Sequence, residues 1–157
     1  MGNRLHLLRM EIDRLIMDER PGGCKDFFVH IYSVSMFGSL LAIRRGLNPE
    51  LAATCAMLHD IYQITDGLIE GHAIKGAEIA KQILEKIGLY SNEEIEIITT
   101  AISRHSKKRK VHDGAYDELL KDADVLSHCL YDPDYGVIEK EVSRFESLMT
   151  ELGCENY

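Results

Sequence analysis

The sequence predicts an all-α protein folded as a single compact bundle of about six to seven helices. Three observations predict it. Apolar residues recur at spacings of three and four along most of the chain, no segment of comparable length alternates apolar with polar residues, and helix-capping residues stand at the ends of the periodic segments. At 157 residues, 45% of them hydrophobic and 28% charged, the chain holds enough apolar material for one core and too much charge for residence in a bilayer. Residues 1–157 are therefore read as one domain.

The first helix is marked by Leu5, Leu8, Ile12, Leu15 and Ile16, and the second by Phe27, Phe28, Ile31, Val34, Phe37, Leu40 and Leu41. Val29 to Tyr32 tolerates a strand but lies inside this longer helical period. Asn48 before Pro49 suits an N-cap with proline at the first helical position, and it opens a third helix through Leu51, Ala52, Cys55, Leu58 and Ile61 to near Gly67. Further helices are expected over about 71–87, 91–105, 115–130 and 136–152. Gly88 is a C-cap signal for the fourth, and Ser91 with Glu94 forms a capping box for the fifth. Pro21, Pro49 and Pro133 each fall where a helical pattern is already interrupted. Met10, Met17, Met36, Met57 and Met149 sit at helical spacing and are read as core filler.

Lys and Arg number 18 against 26 Asp and Glu, a net charge of −8 that repels the backbone of long nucleic acids. DNA and RNA polymers are thus excluded as expected partners. Cys24, Cys55, Cys129 and Cys154 form no Cys-x-x-Cys pair, which points to reduced thiols and a cytoplasmic protein. The N-terminus offers no apolar signal-peptide region, and no apolar stretch is judged long enough to span a bilayer, so no membrane partner is expected.

The histidines and aspartates carry the chemistry. His59 and Asp60 end the apolar run Ala56-Met57-Leu58, where a polar pair must be solvated, paired or metal-bound to offset its desolvation. Alone, His-Asp is a common dipeptide, and a polar helix end explains it. His30 stands mid-helix among Phe27, Phe28, Ile31 and Val34, His72 at a helix start, His105 at a helix end, and Asp124 in Lys-Asp-Ala-Asp-Val-Leu. Imidazole with carboxylate suits borderline divalent ions, and helical bundles build such sites by pointing side chains inward from facing helices.

This pattern resembles the HD-domain superfamily of metal-dependent phosphohydrolases: a helical His30, then His59-Asp60 29 residues later, and the distal Asp124 in its Asp-Ala-Asp context. The resemblance covers about residues 27–126. It implies that His30, His59, Asp60 and Asp124 hold a divalent metal. Gly71-His72-Ala73-Ile74-Lys75-Gly76-Ala77 and Ala101-Ile102-Ser103-Arg104-His105-Ser106 resemble the additional histidine segments of the two-metal subgroup, which includes dinucleoside tetraphosphate hydrolases and cyclic dinucleotide phosphodiesterases. By that likeness His72 and His105 complete a second site, with Asp60 bridging the ions as the catalytic carboxylate. Two divalent transition ions are implied, Fe or Mn ahead of Co, Zn, Ni or Mg. Metal-activated water would attack the phosphorus of a nucleotide or another small phosphate ester.

The chain also departs from the family. Gln63 stands three residues after Asp60, where the cyclic dinucleotide and tetraphosphate hydrolases usually carry Lys and the 5'-deoxynucleotidases Glu; the Glu-Asp pair of alarmone hydrolases and the Gly-Tyr-Pro signature of cyclic dinucleotide phosphodiesterases are missing. Gln63 also motivates a rival reading, a metal- or nucleotide-binding sensor without hydrolysis. A structural adaptor is a third, against which the six clustered candidate ligands argue.

Arg104, Lys107, Lys108, Arg109 and Lys110 make a basic run around His105, either a solvated helix end or a phosphate-binding segment. Arg104, Lys107 and Lys108, with Lys75 one turn beyond His72, are the candidate substrate contacts. His6 and His112 are read as surface residues. His128, one turn after Asp124, is read as a partner of a ligand or a partly buried core histidine. A homodimer stays open.

Overall fold

The computed structural model describes residues 3–132, 134 and 136–154; Pro133 lies outside them. Its helices are α1 (Asn3–Glu19), α2 (Cys24–Arg45), α3 (Pro49–Leu58), α4 (Ile61–Asp66), α5 (His72–Ile87), α6 (Asn92–Arg104), α7 (Ala115–Tyr131) and α8 (Val142–Leu152). The protein is all-α: seven helices of ten residues or more, one short helix of six, and no strand among the described residues.

α3 is the centre of the bundle. Every residue from Leu51 to Leu58 is buried, with α2, α7, α6 and α1 packed around it and α4 and α5 closing one end. Leu8, Ile12 and Ile16 of α1, Ile31, Val34 and Leu41 of α2, Ile98 and Ile102 of α6, and Leu119, Ala123 and Leu126 of α7 meet it in one continuous core. Each buried Leu or Ile contributes roughly 1.5–3 kcal/mol of transfer free energy, and together they oppose the entropy of ordering the chain.

The caps form as the sequence requires. Asn48 Oδ1 accepts from the amides of Glu50 (2.9 Å) and Leu51 (3.3 Å), Ser91 and Glu94 bond reciprocally, and Gly88 closes α5 in the left-handed region at φ 70°.

Four expectations are corrected. The third helix is not continuous to Gly67: it stops at Leu58 and restarts at Ile61, because Asp60 adopts φ −107°, ψ 20° and its carbonyl begins a new ladder to Gln63 and Ile64. α8 starts at Val142 and not at 136, since Gly136 sits at φ 84°, which ends any helical path there. Met57 and Met149 are core residues, but Met10, Met17 and Met36 are 56%, 62% and 66% exposed. Met10 and Met17 project from α1 opposite the Leu8-Ile12-Ile16 stripe, and Met36 projects from α2 opposite its buried face, so their mutual spacing was helical but not in phase with the core. Finally, α2 is by length and composition apolar enough to cross a membrane, because Val29, Met36, Leu40 and Ile43 extend its apolar character onto the exposed face. Its other face is the packing surface for α3 and α7.

Gly38 lies on that packing face. A Cβ there would meet Ala52 O at 3.5 Å, Leu119 Cδ2 at 3.7 Å and Ala123 Cβ at 3.8 Å, all ordinary contact distances. Gly38→Ala is expected to raise stability by about 0.5–1 kcal/mol through reduced unfolded-chain entropy, read as a higher urea midpoint. A lower midpoint would mean that the added methyl disturbs the packing of α2 on α3 and α7 despite these ordinary contact distances.

Candidate metal centre

The six candidate metal ligands come from six different helices or helix ends and converge. His30 projects from the middle of α2 and Asp124 from the middle of α7. His59 caps the C-terminus of α3, Asp60 precedes α4, His72 opens α5 and His105 caps α6. The break between α3 and α4 lets two adjacent residues turn inward together, which an unbroken helix, spreading neighbours by 100°, would prevent.

The same local device fixes three of the imidazoles. His59 Nδ1 lies 2.7 Å from Ala56 O, His105 Nδ1 2.7 Å from Ile102 O, and His72 Nδ1 2.8 Å from Ile69 O, each a carbonyl three residues back. A carbonyl only accepts, so Nδ1 donates its proton and Nε2 of each ring points into the site. These nitrogens face one another: His30 Nε2 and His59 Nε2 are 3.1 Å apart, and so are His72 Nε2 and His105 Nε2. Each pair needs a proton or a metal ion between its two nitrogens.

The carboxylates divide the donors into two groups. Asp60 Oδ2 is 3.4 Å from His30 Nε2 and 3.3 Å from His59 Nε2, with Asp124 Oδ1 3.3 and 3.7 Å from the same two nitrogens. Asp60 Oδ1 faces the other pair, 3.4 Å from His105 Nε2 and 3.7 Å from His72 Nε2. One carboxylate thus offers a different oxygen to each pair of histidines, as a bridging ligand does. Buried Asp124 Oδ1 has no hydrogen-bond partner, a costly arrangement for a carboxylate oxygen that a divalent cation would relieve. The donor set fits borderline divalent metals.

The electrostatics agree. Burial penalises the charged ring of His59, but the carboxylates of Asp60 and Asp124 outweigh it and push its pKa up to about 10. His30 is raised by the same carboxylates against the same burial penalty. His105 is lowered, by burial first and by the neighbouring charges of His59 and Lys108, with only Asp60 opposing. Burial would raise Asp60 and Asp124, yet their cationic neighbours hold both well below the usual carboxylate range, His59 chief among them for Asp60 and Lys108 for Asp124. The site draws in positive charge.

The candidate substrate contacts are placed differently from expectation. Arg104 turns away from the site and bonds Asp117 Oδ2 at 2.7 Å, and exposed Lys107 does not line the cleft of about 470 Å³ above the histidines. Helical phase explains this for Arg104: His105 points inward, so its neighbour is rotated by about 100°. Lys75 is exposed and donates to Tyr62 OH at 3.1 Å, outside the cleft. Lys108 does reach the site, but its buried ammonium donates to Asp124 Oδ2 and to His105 O (2.7 Å), so it holds a ligand and does not lie open to phosphate. Arg109 and Lys110 pair with Glu139 and Asp113.

Sequence reasoning passed over Asp26, Lys140 and Glu141, which line the cleft. Asp26 precedes His30 by one turn, and that i,i+4 spacing was a readable signal. Lys140 and Glu141 sit in the turn before α8, within a segment whose sequence pattern predicts helix. Gln63 lines the cleft as well and donates from Nε2 to Asp60 Oδ1 at 2.8 Å.

The HD-domain family profile matches residues 27–128. The chain belongs to the HD-domain family. Curated relatives of this HD-domain protein are ribonuclease Y chains: that of Clostridium tetani is 29% identical over 147 residues, covering 92% of this chain and 26% of the relative. Ribonuclease Y of Petrotoga mobilis is 37% identical over 81 residues, 48% of this chain and 16% of the relative, and that of Clostridium kluyveri is 27% identical over 147 residues, 92% and 27%. The chain thus spans about a quarter or less of the length of these relatives. No solved structure matches it. These relatives are not dinucleoside tetraphosphate hydrolases.

Lys108→Ala would leave Asp124 Oδ2 buried without its cation. In metal-stripped protein it is expected to cost about 3–5 kcal/mol of stability by chemical denaturation, while Lys107→Ala, at an exposed position, leaves the midpoint nearly unchanged. Equal effects from the two would return Lys108 to the solvated basic run.

Proposed function

We propose that the protein is a two-metal phosphohydrolase of the HD family, acting on a nucleotide or another small phosphate ester, in motif layout closest to the dinucleoside tetraphosphate hydrolase-like subgroup. The observation that carries this reading is the placement of the two Asp60 oxygens, one toward His30 and His59 and the other toward His72 and His105. His30, His59, Asp60 and Asp124 would hold one ion, and Asp60, His72 and His105 the other. When bound, two divalent cations supply an activated water and neutralise charge on the phosphoryl oxygens.

The chain's own residues do the rest. The Nδ1-to-carbonyl bonds of His59, His72 and His105 hold Nε2 of each ring toward the site before any ion arrives, so the site is preorganised in direction, and an arriving ion displaces the proton that His59 carries. Lys108 neutralises one oxygen of Asp124 and leaves the other free for the site. Gln63 is neutral and steadies Asp60 without adding charge. Lys140, exposed at the cleft, takes over the role first assigned to Arg104 and Lys107, that of a cation for substrate phosphate.

A second reading, cleavage of RNA phosphodiesters, is favoured by one observation, that the relatives are ribonuclease Y chains. Against it stand the net charge of −8 and the pairing of Arg104, Lys108, Arg109 and Lys110 with local acids, which leaves few cations for a polymer backbone.

Metal analysis with a substrate comparison decides. Wild-type protein loaded with Mn²⁺ or Fe²⁺ is expected to carry about two ions per chain and to turn over dinucleoside tetraphosphates or mononucleotides faster than single-stranded RNA oligonucleotides. His72→Ala should drop occupancy to about one and reduce the rate by several orders of magnitude, and Lys140→Ala should raise KM with the metal content intact. A wild-type ratio near one in metal-replete buffer would remove the two-metal reading, and faster RNA cleavage would favour the second. Metal binding with no turnover of any phosphoester would favour a sensor.

A further inference from the structure

His128 is not among the six residues that the family resemblance assigns to metal, yet the structure places it as their neighbour. It follows Asp124 by one turn of α7, and its Nε2 lies 3.3 Å from Asp124 Oδ1, the buried oxygen without a hydrogen-bond partner. Its ring stacks on that of His30, with centroids 5.1 Å apart and planes within 9°. Donor atoms of His30, Asp124 and His128 all lie within 4.8 Å of one another.

The other side of the ring is fixed by a second carboxylate. His128 Nδ1 is 3.1 Å from Glu141 Oε1 and 3.4 Å from Oε2, and Glu141 is fully buried. An ionised carboxylate only accepts, so Nδ1 carries a proton toward Glu141, and Nε2 is the ring atom left to face Asp124 Oδ1. That position between Nε2 and Oδ1 takes a cation, either a proton or a metal ion bound by both atoms. A carboxylate behind an imidazole whose far nitrogen faces a metal site is the arrangement that orients a ligating histidine and strengthens it as a donor.

We propose that His128 is a seventh metal ligand, giving Nε2 to the divalent cation held by His30, His59, Asp60 and Asp124, with Glu141 as its positioning residue. This rests on the metal-binding reading above. The ion would then have three nitrogens and two carboxylates from protein. That number exceeds the four donors of a tetrahedral zinc site and suits ions that take six ligands, such as Fe²⁺, Mn²⁺, Co²⁺ or Ni²⁺, with one position left for water or substrate. It also places an exchangeable, half-exposed ligand at the wall between the metal cleft and an apolar cavity of about 450 Å³ lined by Val29, Tyr131 and Ile138.

The test is titration of the metal-stripped full chain with Co²⁺, following visible absorption and competing with a chelator of known affinity. His128→Ala is expected to weaken the first-bound ion by more than about 100-fold and to alter its absorption bands, with imidazole added to the buffer restoring the wild-type bands. Glu141→Gln should weaken binding by about 10-fold while keeping the band shape, since the ligand survives and only its orientation and basicity suffer. His72→Ala should leave the first ion unchanged. Wild-type affinity and bands in His128→Ala overturn the proposal and leave the metal site standing, as would a His128→Ala spectrum indifferent to imidazole. Failure of wild-type protein to bind Co²⁺ at all overturns the metal reading itself.

Discussion

Two carboxylates buried beside a ring of imidazoles cannot sit uncompensated inside a helical bundle, and the rest of the structure is arranged around that charge. Asp60 and Asp124 lie where desolvation works against ionisation, yet the cations around them hold both well below the usual range. The interruption between α3 and α4, the carbonyl clamps on three histidines and the burial of Lys108 all serve to keep donors aimed at one place. Without incoming positive charge, five ring nitrogens and two carboxylates are a destabilising assembly; with it, they are a binding site.

The segment joining α6 to α7 carries His105 and Lys108, and it has no regular structure of its own. A buried ionic network holds it. Lys121, fully buried on α7, donates to Asp113 (2.7 Å), Glu118 (2.9 Å) and Lys110 O (3.1 Å). Arg144 of α8 reaches Lys108 O, Lys110 O, Glu118 and Asp122, and Arg45 of α2 ties Asp122 to Glu151. Three helices thereby fix a loop whose geometry the metal centre requires. Such networks add little net stability when complete, but losing one member leaves a buried charge unpaired.

Much of this was legible in the sequence for a simple reason: it depends on residue type and on spacing along one helix. The 3.6-residue period located all the long helices, and the local chemistry of Asn48-Pro49, Ser91-Glu94 and Gly88 marked their ends, because caps act within four residues. His30, His59, Asp60, His72, His105 and Asp124 could be singled out because N and O donors in apolar helical context are costly and therefore informative.

What lay beyond the sequence was direction. Arg104 and Lys107 adjoin His105 in the chain, but the phase of one helical residue decides between cleft and solvent, and charge pairing with Asp117 decides where Arg104 rests. Met10, Met17 and Met36 have helical spacing, yet only packing against α3 shows which side of α1 and α2 is inside. Lys140 and Glu141 enter the cleft through a turn before α8 that follows Gly136 at positive φ, a backbone path that periodicity does not encode. The sequence by itself determined which residues could bind a metal and that helices would carry them. Only the tertiary structure decided that Asp60 faces two histidine pairs at once and that Lys108 takes the oxygen of Asp124 opposite the one His128 faces, because the Asp60–His105 and Lys108–Asp124 contacts join residues 45 and 16 positions apart (105 − 60 and 124 − 108) through side chains that no local rule specifies.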